Sequence, residues 1–218
     1  MTNRSFSFAF REFYHFYNRG VEKRVIYKDL QDYSRFTELL YVSNTTESTD
    51  IRNIKRRNKS IFDWKPEKPL VAIGAYCLMP NHFHILLTPL QDEGVSIFMR
   101  KMCTSYSMYF NKKYERSGTL FEGKFKAKHV ESDEYLKYLF SYIHLNPVKL
   151  IQSDWKEKGI KNDEKAYEYV SNFKHSSLMD YQLKPRKEVG ILCKDSFPNY
   201  FQTTAQIKSE LIEWLKYE

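Results

Sequence analysis

Two pairs of side chains in this 218-residue chain have the types and spacing for phosphodiester chemistry. The first is His82 and His84. On a β-strand, residues i and i+2 project to one face, so the two imidazoles stand side by side. Imidazole is a common ligand of divalent metals, and two together can hold one ion. The plainer reading is a pair of structural histidines with satisfied hydrogen bonds. The second pair is Tyr142 and Asn146, four apart and therefore neighbours on one helix face. At about 100° per residue they lie roughly 40° apart, whereas His144 points about 160° away from Tyr142 and is excluded as a ligand of the same ion. Tyr138, one turn earlier on that flank, competes with Tyr142 as a nucleophile.

Together these residues offer two imidazoles, an amide oxygen and a phenol. A phenol titrates near pH 10, so only about one in a thousand is ionised at neutral pH. A metal on a scissile phosphate withdraws charge from phosphorus and orients it for in-line attack. Attack by tyrosine gives a phosphotyrosine and a free hydroxyl, with the bond energy conserved for rejoining. Two nitrogens and one oxygen, with positions open for phosphate, suit Mg²⁺ or Mn²⁺, Mn²⁺ being the more comfortable with imidazole.

The elements that must position these groups follow from periodicity and turn residues. Residues 6–17 are rich in Phe and Tyr and read as a strand closed by Asn18-Arg19-Gly20. Asp29 is a candidate N-cap for a helix bearing Leu30, Tyr33, Phe36, Leu39 and Leu40. Residues 43–68 are polar and charged and read as a loop or insertion; they carry Arg56 and Arg57 in a basic run that is either solvated surface or phosphate contact. Residues 70–78 and 82–88 form two strands around Pro80-Asn81. The 22 residues Pro69 to Leu90 lack Asp, Glu, Lys and Arg, but their Pro-Asn-His middle is too polar for a bilayer, and no membrane span is expected. A helix follows over 95–113, with Val95, Phe98, Met99, Met102, Tyr106, Tyr109 and Phe110 on one face. Lys124 to Val130 reads as a basic strand in which Lys124, Lys126 and Lys128 share a side. Ser132 caps a helix running to Asn146, stopped by Pro147.

This order gives an α+β chain with a ferredoxin-like, RRM-like split βαβ: an antiparallel sheet with helices on one face. Residues 1–150 hold it, and 151–218 add a mostly helical extension packed on or tethered to that core. Topology alone decides no function. Composition narrows the choice. Lys and Arg number 35 against 27 Asp and Glu, a net charge of +8, and aromatics reach 17%. Basic charge with planar rings suits single-stranded nucleic acid. An apolar fraction of 42% excludes wholesale disorder. Three cysteines without a CxxC pair argue against a zinc cluster or disulfide framework and fit a reducing cytoplasm. The apolar run in the first thirteen residues is too short for a secretory leader.

Four segments resemble the single-tyrosine HUH transposases of bacterial insertion sequences, and most closely their REP-associated branch. They are Tyr14-His15-Phe16-Tyr17-Asn18-Arg19-Gly20, Met79-Pro80-Asn81-His82-Phe83-His84-Ile85-Leu86-Leu87, Ser117-Gly118-Thr119-Leu120-Phe121-Glu122-Gly123-Lys124-Phe125-Lys126, and Tyr142-Ile143-His144-Leu145-Asn146-Pro147-Val148. Residues 172–181 (NFKHSSLMDY) more loosely resemble the family's W-S-S-Y segment, with Lys174-His175 and Leu178 in place of its aromatics. The resemblance implies an HUH endonuclease domain over residues 1–150 that binds folded single-stranded, hairpin DNA. It implies that His82 and His84 are ligands of Mg²⁺ or Mn²⁺, that Asn146 is the third where insertion-sequence members carry Gln, and that Tyr142 is the nucleophile holding the 5′ phosphate. It further implies a bacterial, cytoplasmic protein working at the nucleoid, as a monomer or a homodimer. Arg19, Lys124, Lys126, Lys128, Arg56 and Arg57 are then candidate DNA contacts, the strand lysines equally being edge protection. Two rival functions remain: a catalytically silent nucleic-acid-binding module of the same fold, and a phosphodiesterase using His175-Ser176-Ser177.

Overall fold

Alternation along two central strands decides which side chains of this protein meet. The structure, a computed structural model, describes residues 8–217. The elements are β1 (Tyr14–Arg19), α1 (Leu30–Val42), α2 (Ile51–Arg57), β2 (Val71–Met79), β3 (His82–Pro89), α3 (Gly94–Lys113), β4 (Lys126–His129), α4 (Asp133–Leu145), α5 (Trp155–Lys158), α6 (Asp163–Ser171), α7 (Leu178–Tyr181) and α8 (Thr204–Tyr217). The sheet order is β2-β3-β1-β4, with every neighbouring pair antiparallel. That is the ferredoxin-like arrangement.

One face of the sheet presents Tyr14 and Phe16 of β1 with Phe83, Ile85 and Leu87 of β3. They pack against Phe36 and Leu40 of α1 and Phe98, Met102, Tyr106 and Phe110 of α3. Each large apolar side chain so buried contributes about 1.5–3 kcal/mol relative to exposure. Asp32 of α1 is buried in the same layer and ties the two helices together. It accepts from Lys113 at 2.8 Å, Tyr109 at 3.0 Å, Tyr114 at 2.7 Å and the Lys28 N–H at 2.8 Å. The opposite face is covered by α4, which lies outside the split βαβ itself. Ala75, Cys77, Met79 and Leu86 meet Leu136, Leu139, Phe140 and Ile143 there. Both helix starts carry their expected caps: Asp29 accepts the Asp32 N–H at 3.0 Å, and Ser132 accepts the Tyr135 N–H at 3.1 Å.

The extension packs on the core in two ways. Leu145 and Val148 share a cluster with Trp155, Val170, Leu178, Ile207 and Leu211. Residues 175–177 also run along the free edge of β2. The Leu78 N–H donates to the His175 carbonyl at 2.9 Å, the Ser177 N–H to the Tyr76 carbonyl at 3.0 Å, and the Tyr76 N–H to Ser177 Oγ at 2.9 Å. An uncovered strand edge would template association with other chains, and this segment removes it. Arg186 secures the segment by bonding the Asp180 carboxylate and donating to the carbonyls of Ser176 and Lys174 at 2.8 and 2.9 Å.

Three local expectations change. Residues 43–68 are folded, with α2 and a 3-10 turn at Ile61–Asp63 burying Ile54 and Ile61. Two apolar anchors seven residues apart are too few to show a period against so many charges. The last strand begins at Lys126, not Lys124, because Gly123 sits at φ 71° and bends the chain just before it. The first strand begins at Tyr14; residues 6 and 7 of the expected strand, and most of the stretch read for a leader, lie outside the described residues.

Candidate active site

The register of β1 on β3 sets Tyr17 opposite His84, Arg19 opposite His82 and His15 opposite Leu86. The same face continues onto β4, where Lys128 is opposite His15 and Lys126 opposite Tyr17. The rings of His82 and His84 are 5.0 Å apart, as the i, i+2 spacing requires. Across them lies α4. The Tyr142 ring stands edge-on to His84 at 5.5 Å and to His15 at 6.0 Å. Strand imidazoles and helix phenol therefore meet within one chain. Tyr138 sits one turn back, its ring 5.9 Å from Tyr142 and 4.8 Å from Trp214 of α8.

Each strand histidine is held through Nδ1. His82 Nδ1 is 2.6 Å from Asn81 Oδ1, and His84 Nδ1 is 2.8 Å from His15 Nε2. Burial pushes His82 down to about 4, with the charges of Lys149 and Arg19 adding to it. Burial likewise holds His84 well below the usual histidine range, and takes His15 to about 4 with help from Lys128. All three rings are thus neutral at pH 7, the form that ligates metal. His144 faces the other way, as its angle on the helix requires. It is buried with Nε2 2.8 Å from Ser177 Oγ.

Asn146 caps the C-terminal end of α4. Its Nδ2 donates to the Tyr142 carbonyl at 3.0 Å, and it shares a small cavity with Tyr142, Lys149 and Lys156. The residue is buried, and among the described residues its Oδ1 has no hydrogen-bond partner. A buried acceptor left bare costs about 1–3 kcal/mol, which a cation would offset. Two neutral imidazoles and a bare amide oxygen fit a hard-to-borderline divalent ion such as Mg²⁺ or Mn²⁺.

The basic candidates divide by position. Lys126 and Lys128 are exposed on the histidine face, and Lys128 Nζ lies 4.5 Å from the Tyr135 ring centroid. Arg19 grips Glu122 through Nε and Nη2, an exposed pair worth little against a competing phosphate. Lys124 is exposed in the bend before β4. Arg56 and Arg57 are exposed on α2, which packs Ile54 into the cluster on the opposite face of the sheet. His175-Ser176-Ser177 serves the β2 edge with both serines fully buried, which removes the phosphodiesterase rival.

The sequence reading missed four residues at the site. His15 and Tyr17 repeat the i, i+2 pattern of His82 and His84 on the neighbouring strand, and that alternation was the available signal. Lys149 follows α4 in the turn after Pro147, and Lys156 of α5 brings Nζ to 5.1 Å from the Tyr142 ring centroid. Nothing in their spacing marks either lysine.

Comparison with known proteins bears on the fold and the family. The structure of a REP-associated tyrosine transposase bound to a REP hairpin superposes with a TM-score of 0.50 at 14% identity, over 94% of this chain and 96% of that one. At that identity the likeness is one of fold. No curated protein matches the chain. Residues 39–146 match the family described as transposase, IS200-like. That segment carries His82 and His84 on β3 and both Tyr142 and Asn146 on and after α4, and the chain belongs to the IS200-like transposase family.

Proposed function

We propose that the chain is a metal-dependent single-stranded DNA endonuclease and strand transferase that binds hairpin DNA and acts in transposition or in processing of REP-like elements. The edge-on contact of Tyr142 with His84, 5.5 Å between centroids, carries this reading. His82, His84 and Asn146 would hold the ion, and a bound Mg²⁺ or Mn²⁺ supplies charge withdrawal and orientation at the scissile phosphate. Tyr142 Oη attacks phosphorus. The Oη–P bond forms as the P–O3′ bond breaks; the phenol gives up its proton, and the departing oxygen takes one to leave as a 3′-OH. The 5′ phosphate stays on Tyr142, ready for the reverse step onto another 3′-OH. Lys126, Lys128 and the Tyr17 ring line the face along which a single strand would run. Hairpin DNA as ligand is supported by the hairpin on the structurally similar REP-associated transposase. Residues 1–150 act as the catalytic unit with 151–218 docked against it, in the cytoplasm and on the nucleoid. No helix among the described residues is long and apolar enough to cross a membrane.

The test uses a hairpin oligonucleotide labelled at either end, with Mg²⁺ or Mn²⁺, on a denaturing gel. The 3′-labelled strand gives a protein-linked band and the 5′-labelled strand a shortened free product. Tyr142→Phe gives neither, and Tyr138→Phe gives both. An undiminished band in Tyr142→Phe refutes the assignment. Hairpin binding without cleavage, indifferent to chelator, identifies a silent binding module instead.

A further inference from the structure

Which nitrogen of an imidazole meets a cation is decided by what its other nitrogen does. For His82 the answer is fixed by a chain of hydrogen bonds. The Asn81 Nδ2 donates to the Lys23 carbonyl at 3.1 Å, which orients the amide and turns its Oδ1 toward His82 Nδ1 at 2.6 Å. An amide oxygen only accepts, so Nδ1 carries the proton and Nε2 the lone pair. For His84 the partner is itself an imidazole, His15 Nε2 at 2.8 Å. Two neutral rings sharing one hydrogen bond have two arrangements. When His15 donates, His84 keeps its proton on Nε2 and has no lone pair left for an ion. When His84 donates, its Nε2 is the free donor atom, as it is in His82. Both rings are buried, with centroids 5.0 Å apart and planes 23° apart, so the pair is shielded from exchange with solvent.

We propose that His15 and Asn81 are positioning residues of the cation site, each accepting the Nδ1–H of its neighbouring histidine so that Nε2 of both His84 and His82 presents a lone pair to the ion. The proposal rests on the reading of His82 and His84 as ligands. His15 lies on β1, outside the residues that match the transposase family, so the match assigns it no role.

The test is Mn²⁺ binding to the full-length chain by calorimetry, with pulsed EPR reading the imidazole-nitrogen coupling to the bound ion. His15→Phe keeps the ring's bulk and removes the acceptor. Affinity for Mn²⁺ falls about 10–100-fold, the scale of losing an outer-shell partner, while metal-free hairpin binding is unchanged. His15→Gln places an amide oxygen near the position of Nε2 and restores most of the affinity. In the half-buried turn between β2 and β3, Asn81→Ala weakens Mn²⁺ and Asn81→Asp, which keeps the acceptor, does not; this pair decides the matter should His15→Phe fail to fold. Wild-type affinity in His15→Phe, or equal loss in the Phe and Gln variants, overturns the role of His15. His84→Ala that binds Mn²⁺ as tightly as wild type shows that the ligand reading itself has failed, and the proposal with it.

Discussion

The Tyr142 ring meets the His84 ring edge-on, with planes 84° apart and centroids 5.5 Å apart, and both rings belong to one chain. A helix-borne nucleophile can reach its metal site from the same protomer or from an exchanged helix of a partner. Here α4 is fixed from both sides, by Ala75, Cys77 and Leu86 of the sheet beneath it and by the extension that shares a cluster with its last turn. Swinging it away would expose both contacts.

The first prediction is therefore that cleavage occurs in cis. Tyr142→Phe and His84→Ala are each inactive, and mixing them restores no covalent adduct. A trans arrangement would give active mixed dimers carrying an intact tyrosine from one protomer and intact histidines from the other. Adduct yield in the mixture, compared with either variant alone, decides between them.

Asn146 supplies the second prediction. Its Oδ1, at the end of α4, is buried without a hydrogen-bond partner among the described residues. Asn146→Ala removes that oxygen together with the bond from Nδ2 to the Tyr142 carbonyl. Removing a neutral hydrogen bond costs about 1 kcal/mol, and deleting the bare acceptor offsets part of it, so the melting temperature moves little. Adduct formation falls on the order of 10²-fold, the scale of losing one oriented electrostatic group at a reacting centre. Loss of fold and activity together would make Asn146 a structural cap only.

The third prediction separates the two basic regions. Lys126 and Lys128 stand opposite Tyr17 and His15 on the histidine face, whereas Arg56 and Arg57 lie on α2 across the sheet. Each phosphate contact on a single strand contributes about 0.7 to the slope of log K against log salt. The Lys126→Ala, Lys128→Ala double variant lowers that slope by about 1.4 for a single-stranded oligonucleotide spanning the cleavage site. The Arg56→Ala, Arg57→Ala variant leaves both that slope and the cleavage rate unchanged.

Much of this arrangement was legible because the deciding signals are local. Asp29 and Ser132 announce α1 and α4 through short side-chain bonds to their own first turns. The i, i+2 spacing of His82 and His84 and the angle between Tyr142 and Asn146 are fixed by backbone geometry alone. Even the exclusion of His144 follows from helix rotation. What escaped notice depends on contacts between distant residues. Ser177 bonds to the backbone of Tyr76, 101 positions earlier, and no period in the sequence reports an edge strand being covered. His15 acquires its partner only when β1 settles in register beside β3. Ile54 and Ile61 are buried in the same apolar cluster as Tyr41, Phe62 and Trp64, in a stretch whose charges otherwise describe a loop.

The last prediction concerns the acid limit of the fold. Desolvation alone would raise the Asp32 carboxyl. Hydrogen bonds from Lys113 and Tyr114, the Lys28 N–H and Tyr109 outweigh it and hold Asp32 below the usual carboxylate range. A folded-state value below the unfolded one means that the unfolded chain takes up its proton first as pH falls. The stabilisation is then full above about pH 4, the unfolded carboxylate range, and is lost progressively as pH drops through the folded value. Lys113 is held up by burial-opposed bonds to Asp29 and Asp32 and stays charged throughout this range, so it loses its partner rather than its proton. Asp32→Asn removes the carboxylate while leaving Lys113 in place. Breaking one side of a buried pair costs about 3–5 kcal/mol, and that loss appears at pH 7. The gap between wild type and Asp32→Asn narrows as pH falls below 4, because protonation brings wild type toward the variant. Denaturant midpoints measured from pH 7 to pH 3 check this directly, and parallel curves for the two proteins would show that the acid sensitivity arises elsewhere.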